Sequence, residues 1–334
     1  MDSMREQIMS NMAPAMRCSL FLVDIDLDNF THKQVEVRVG SEDYVPIWEK
    51  SVVEYNCSFT KQSDYDPNRP TAIIPIKGCE KILEMCLDSM LKTQTLDLIN
   101  VIVVDDRSEK TLWPIADHYG VSYLRVDYNE EFNFSMLCNL GAKVCQHLGN
   151  TQVIMWNADL YISDRTNLEK VIFRHNEKKA SLSGAKLLYP TMEYSLNGEE
   201  DTQNIKTYAP KMIGKWRGTI QFGNGAFDAN GHPFHQHRFE PKSNGSIDCL
   251  TNFITGAFQM IELDKFIDCG GYNPSLKKSY QDVDISTNIH GPVWYFGNDV
   301  EFYHDESPVF YHHGTKDTPQ NKSDQLIYTL MNKI

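Results

Sequence analysis

Three observations predict an α/β protein, a Rossmann-like, mostly parallel sheet flanked by helices with a small β-rich N-terminal appendage. Several short runs are apolar without alternation, the spacing between them is helical, and polar clusters follow two of the runs directly. Strands apolar on both sides are buried on both faces, which requires helices above and below.

The elements follow in chain order. Residues 1–68 form the appendage: Asp24, Asp26 and Asp28 alternate with Ile25 and Leu27, and Gln34 to Val39 alternates again, as in strands with one solvated face. The aspartates lack the Gly and closing Glu of a calcium loop. Gln62 to Pro70, polar and closed by prolines, reads as a linker. Residues 69–334 form the main domain, in halves 69–165 and 166–334. Thr71 to Ile76 is a buried strand, and Lys77-Gly78 turns into a helix with apolar positions at 79, 82, 83, 86, 87 and 90. Asn100 to Val104 and Val121 to Val126 are the next strands, Ser135 to Leu148 a helix, and Gln152 to Trp156 a fourth strand.

Composition narrows the function. In 334 residues, 32 Lys and Arg stand against 45 Asp and Glu, a net charge of −13 that argues against gripping duplex nucleic acid. No run reaches the ~20 apolar residues of a membrane span, and Ser19 to Val23 is too short for a signal-peptide core. The eight cysteines contain no CxxC pair, so reduced thiols and a cytoplasmic location are expected.

In parallel sheets ligands bind beyond the carboxyl ends of the strands. Two polar clusters lie there, Asp105-Asp106 and Asn157-Ala158-Asp159. Taken singly, each reads equally as a turn after a strand. Neither GxGxxG nor GxxxxGK[ST] follows the first strand, which counts against dinucleotide and P-loop enzymes. An acidic edge holds an anionic ligand through a divalent cation, so Asp159 is expected to bind Mn2+ or Mg2+ that bridges to a diphosphate.

The ordered set IIPIKG, VIVVDDRS, FNFSMLCNLGAK, WNADLYIS, CGGYNP, SYQDVDIS and HHGTKD resembles family 2 nucleotide-sugar glycosyltransferases of the GT-A fold, over residues 69–317. The resemblance implies a nucleotide-sugar binding half, 69–165, and an acceptor and catalytic-base half, 166–334. It implies donor contacts from Pro75, Lys77, Asp105, Asp106, Asn139, Asn157 and Asp159, and metal ligation by Asp159 with His312 and His313. Asp282 is the implied base, and Gly256, Tyr280 and Asp284 fall on the acceptor side; independently of the resemblance, Trp216 in its polar, loop-like context (GKWRG) offers a flat ring for a sugar face. Two positions depart from the family pattern: Asn157 replaces the first acid of the Asp-x-Asp motif, and Gln281 the Glu before the base. The implied activity is inverting transfer of a hexose or deoxyhexose, with a UDP-sugar as default donor, to a hydroxyl of a glycan or other acceptor.

Other readings stay beside these. Asp282 alone reads as a helix-start acid, and Asp284 as either such an acid or an acceptor contact. His232, His235 and His237 suggest zinc, whereas the surrounding Gly, Asn and Pro suggest a surface loop; Ile220 to His232 also resembles an acceptor-side stretch of rhamnosyltransferase-like relatives. His304 with Asp305 reads as a solvated or orienting pair, with a metal role as the alternative. Lys211, Lys215 and Arg217 around Trp216 read as a solvated cluster, with contact to a diphosphate or an anionic acceptor as the alternative. The N-terminal region is a candidate surface for a homo-oligomer. The rival functions are a sugar-phosphate nucleotidyltransferase and a non-catalytic binding module.

Overall fold

The computed structural model describes residues 33–37, 53–127, 131–190 and 217–305. The first strands are β1 (Lys33–Val37), β2 (Val53–Thr60), β3 (Thr71–Ile76), β4 (Asn100–Asp106), β5 (Ser122–Asp127), β6 (Gln152–Trp156), β7 (Leu160–Tyr161) and β8 (Leu182–Ala185). They are followed by β9 (Leu187–Leu188), β10 (Ile220–Phe222), β11 (Gly225–Phe227), β12 (Pro233–His235), β13 (Asp248–Leu250), β14 (Phe258–Glu262), β15 (Val293–Phe296) and β16 (Phe302–His304). The α-helices among the described residues are α1 (Glu80–Lys92), α2 (Trp113–His118), α3 (Phe134–His147), α4 (Arg165–Lys178), α5 (Leu263–Asp268) and α6 (Gln281–Asn288).

Ten strands form one sheet in the order β1-β2-β5-β4-β3-β6-β14-β8-β15-β13. Its centre, β5-β4-β3-β6, is parallel, as the unalternating apolar runs predict. All six residues of β3 and all seven of β4 are buried, each large aliphatic one being worth ~1.5–3 kcal/mol. The remainder is mixed: β14 runs antiparallel between β6 and β8. Strands β1 and β2 extend the same sheet, β2 pairing antiparallel with β5. The polar segment before β3 is fastened to the core, because Asn100 Nδ2 donates to the carbonyls of Asp66 (2.7 Å) and Arg69 (3.3 Å).

Local details correct the expected boundaries. Cys79 lies in the left-handed region (φ 58°) just before α1 rather than inside it, and β4 runs two residues further, through Asp106. Helix α3 lies so close on β3 that a Cβ at Gly141 would come within 2.5 Å of Ile73 Cγ2, so only glycine fits there.

Two features open the ligand crevice. The chain proceeds from β3 outward through β4 and β5, then returns to the other side of β3 as β6, which makes β3/β6 the topological switch point. Strand β3 pairs with β4 through Ile76 but with β6 only as far as Ile73. Beyond that point β3 has one neighbour, and Pro75 is tolerated as at a sheet edge. A second sheet, β10-β9-β16-β7, stands beside this opening.

Candidate active site

A cleft of about 460 Å³ lies where β3 and β6 part. Pro75, Ile76 and Cys79 line it from the end of β3, and Asn157, Ala158 and Asp159 from the end of β6. Thr255, Gly256 and Ala257, which lead into β14, and Lys278 to Val283 at the start of α6 form a second bank. Gln221, Pro233, His235 and Arg238 close the far wall.

On the strand-end bank, antiparallel pairing of β7 with β16 sets His304 opposite Leu160 and so beside Asp159. His304 Nε2 lies 3.3 Å from Asp159 Oδ1, with both side chains buried. The Asp305 N–H donates to the Asp159 carbonyl at 2.9 Å. His304 and Asp305 are only 5% and 1% exposed, so the solvated reading is wrong: the imidazole is part of the cleft. This histidine was undervalued because its partner is 145 positions away in the chain, joined to it by strands too short to show periodicity. Cys79 was likewise not foreseen; burial, Asp159 and Glu80 push its thiol up to about 11.

On the opposite bank Tyr280 adopts φ 64°, a conformation uncommon for a non-glycine residue, and α6 starts at once. Asp282 therefore stands in the first turn of α6. Its Oδ2 accepts from the Gly256 N–H and its Oδ1 from the Val283 N–H, each at 2.9 Å. Crowding by protein raises the Asp282 pKa above the ordinary carboxylate value, outweighing these N–H donors. Gln281 lines the cleft beside it, 6% exposed, and its Oε1 is buried with no hydrogen-bond donor.

Of the residues singled out in the sequence, Pro75, Asn157, Asp159, Gly256, Tyr280 and Asp282 meet in this one cleft. Others do not line it. Asp105 is fully buried and saturated by donors of its own network: Ser108 N–H (3.0 Å), Ser108 Oγ (2.5 Å), Tyr123 Oη (2.5 Å) and Arg125 Nη1 (3.2 Å). Asp106, also buried, has Lys77 at 3.5 Å and Arg107 at 3.4 Å, and its Oδ1 has no hydrogen-bond donor. Burial raises the Asp106 pKa despite both cations. Asn139 clips α3 to the Gly-Gly turn, donating to the Tyr272 carbonyl (2.8 Å) and accepting from the Tyr272 N–H (2.9 Å). Asp284 is buried within α6, where its Oδ1 accepts from Asn288 Nδ2 at 3.1 Å. Trp216, His312 and His313, with Lys211 and Lys215, lie outside the described residues.

The histidines of the 232–237 segment do not converge as a zinc site. His232 pairs with Asp228 (3.3 Å) and His237 with Glu240 (2.9 Å), while His235 packs edge-on against Phe222. Among the described residues no helix is long and apolar enough to cross a membrane.

Comparison with solved structures places the architecture. GalNAc-T7, solved with UDP, GalNAc and Mn2+, superposes with a TM-score of 0.52 at 13% identity, over 79% of this chain and 48% of that one. This chain thus spans about half the length of GalNAc-T7, and the likeness concerns the fold alone. TarS residues 1–349 from S. aureus gives 0.46 at 14% identity (79% and 71% covered), and the mannosyltransferase PcManGT from Pyrobaculum calidifontis, with GDP-Man and Mn2+, gives 0.45 at 13% (81% and 73%). No curated protein matches the sequence. The family model for glycosyl transferase family 2 matches residues 71–261, the stretch from β3 to β14 that carries the switch point and Asp159. That match covers more than half of the 334 residues, and the chain belongs to glycosyl transferase family 2, built on the GT-A fold.

Proposed function

We propose that this chain is an inverting, divalent-metal-dependent glycosyltransferase that moves a hexose or deoxyhexose from a nucleoside diphosphate sugar to an acceptor hydroxyl. The observation that carries the reading is that Asp159, on the strand-end bank, and Asp282, on the opposite bank, line one cleft at the switch point.

Asp282 takes the proton from the acceptor hydroxyl as that oxygen attacks the anomeric carbon, and the bond to the diphosphate oxygen breaks on the other face. Its raised pKa makes it a better proton acceptor than a solvated aspartate, and the Gly256 and Val283 N–H groups aim it. A single carboxylate at this bank supports inversion: Gln281 carries no charge and Asp284 bonds within its own helix.

The metal reading rests on the chemistry of Asp159 and His304. A buried carboxylate oxygen without a hydrogen-bond donor, 3.3 Å from an imidazole nitrogen, is a donor pair that suits Mn2+ or Mg2+. Among the described residues no group of three His, Cys, Asp or Glu could hold a metal, so diphosphate oxygens and waters would fill its other positions. When bound, such an ion would neutralise charge on the departing diphosphate. Asn157 contributes an amide oxygen and no charge.

The seven described cysteines are free thiols and four of them are buried, which suits a reducing compartment and supports a cytoplasmic site of action. The test is release of nucleoside diphosphate from a panel of UDP-, dTDP- and GDP-sugars with Mn2+, repeated with Asp282→Asn. One turned-over donor and its loss in the variant support the reading; nucleotide binding without turnover for every donor makes the chain a binding module.

A further inference from the structure

Helix α6 opens with two neighbouring residues of unlike chemistry on one cleft. Asp282, the proposed base, has both carboxylate oxygens engaged by backbone N–H groups, those of Gly256 and Val283. Gln281, immediately before it, is buried at the cleft wall, and its Oε1 has no hydrogen-bond donor. Other polar side chains of the same helix are satisfied locally. The Ser286 hydroxyl donates to the Asp282 carbonyl (2.6 Å), the Thr287 hydroxyl to the Val283 carbonyl (3.0 Å), and Asn288 Nδ2 to the Asp284 carbonyl (2.6 Å). Gln281 differs from these three in lining the cleft.

A buried amide oxygen without a donor costs stability, and such groups in folded chains are nearly always paired. Its partner must be a donor, because a carbonyl oxygen can only accept. A neutral donor fits best, since a carboxamide brings no charge to offset the desolvation of an ammonium. The terminal torsion of a glutamine is soft, so the amide turns its oxygen to a donor in the cleft at little cost. Position then assigns that donor to the acceptor. A base must touch the attacking hydroxyl, and the Cα atoms of successive residues are only about 3.8 Å apart. Both side chains therefore serve the same part of the cleft, on the bank opposite Asp159.

We propose that Gln281 is a specificity-determining residue for the acceptor: as one acceptor hydroxyl gives its proton to Asp282, a second hydroxyl of the same molecule donates to Gln281 Oε1. The acceptor is accordingly a polyol, such as a sugar, rather than a lone alcohol. No bond is made or broken at Gln281. This inference rests on the glycosyltransferase reading of the cleft and deepens it by naming the acceptor class. A site that hydrogen-bonds a substrate hydroxyl strongly rejects the analogue lacking it, because the buried partner is left unpaired.

The test takes the donor that releases nucleoside diphosphate and adds methyl glucoside, galactoside, mannoside and rhamnoside in turn. The hexoside glycosylated fastest is then compared with its monodeoxy analogues. One analogue that is still glycosylated is expected to lose roughly ten-fold or more in kcat/KM, because it lacks the hydroxyl that Gln281 holds. Gln281→Met, which removes the amide at similar volume, is expected to bring that gap within about two-fold. A gap that survives in Gln281→Met overturns the inference. So does a set of analogues that, apart from the one lacking the attacked hydroxyl, all match their parent. Urea unfolding adds the readout that a structural role would move. Gln281→Met is expected to have a midpoint no lower than wild type; a lower midpoint, or failure to fold, would give the amide a partner within the protein and overturn the inference. Nucleotide release to water that no hexoside accelerates also overturns it. No release from any donor overturns the parent reading, and this inference falls with it.

Discussion

Gly256 and Asp282 form a coupled pair: the glycine N–H donates to Asp282 Oδ2 at 2.9 Å, and a Cβ on Gly256 would lie 3.3 Å from Asp282 Cβ. The segment before β14 thus touches the proposed base instead of simply lining the cleft. Gly256→Ala must displace the base by a few tenths of an ångström. Since a misplacement of about 1 Å costs on the order of 100-fold, the expected loss in kcat is roughly 3- to 10-fold. Steady-state kinetics with the working donor checks this; unchanged kcat would show that the contact has no part in aiming Asp282.

As the proposed base, Asp282 should set the acid limb of the pH profile through its protonation. The base acts as the carboxylate and its pKa is raised, so kcat/KM should rise with pH through a value above the ordinary carboxylate range, and Asp282→Asn should lose on the order of 10²–10⁴-fold in rate. Linkage gives the matching stability effect. Between the ordinary and the raised pKa the folded chain binds more protons at this site than the unfolded chain, so its contribution to stability falls as pH rises through that window. Urea melts of wild type and Asp282→Asn at several pH values isolate the effect, and a difference that is flat or opposite in slope would contradict it.

Asp105 and Asp106 are adjacent but should respond unequally to amidation. Asp105→Asn loses two of the accepting positions that Ser108, Tyr123 and Arg125 fill, and charged hydrogen bonds are worth ~1.5–3 kcal/mol each, so a loss of about 3 kcal/mol is expected. Asp106→Asn removes a buried charge whose Oδ1 has Arg107 at 3.4 Å but no hydrogen-bond donor, so the fold should persist with a much smaller change in stability. Denaturant unfolding of both variants separates the two roles.

Metal dependence should map onto the pair on the strand-end bank. Chelation with EDTA should abolish turnover and Mn2+ restore it. Asp159→Asn or His304→Ala should raise the Mn2+ concentration for half-maximal activity at least ten-fold, because each removes a donor from a site that has few. An unchanged Mn2+ requirement in His304→Ala would assign the ion to other residues.

The contrast between Asp159 and His304 shows how far the linear sequence reaches. Strands β3 and β6 were legible to the residue because each is a continuous apolar run with a polar boundary, and the residues just beyond them therefore pointed to the cleft. The place of Asp282 in the cleft was legible through its position in an ordered motif set. What escaped depends on contacts across long sequence separations. Asn139 meets Tyr272 across 133 positions, which turns an apparent donor residue into a structural clip. The saturation of Asp105 needs Tyr123 and Arg125 from the next strand. Antiparallel β14 inside a parallel sheet leaves no mark on hydrophobic period, since both orientations bury the same faces.

The early separation of β3 from β6 divides the molecule's evolutionary freedom. The floor that receives the donor is cut into the stiffest part of the sheet and inherits its immobility, whereas the wall carrying Gln221, His235 and Arg238 hangs on short ribbons whose replacement leaves the central strands untouched. On the proposed reading, acceptor choice would drift by exchange of residues 220–240 while the strand ends stay constant, and grafting that stretch between relatives would be the economical route to new linkages.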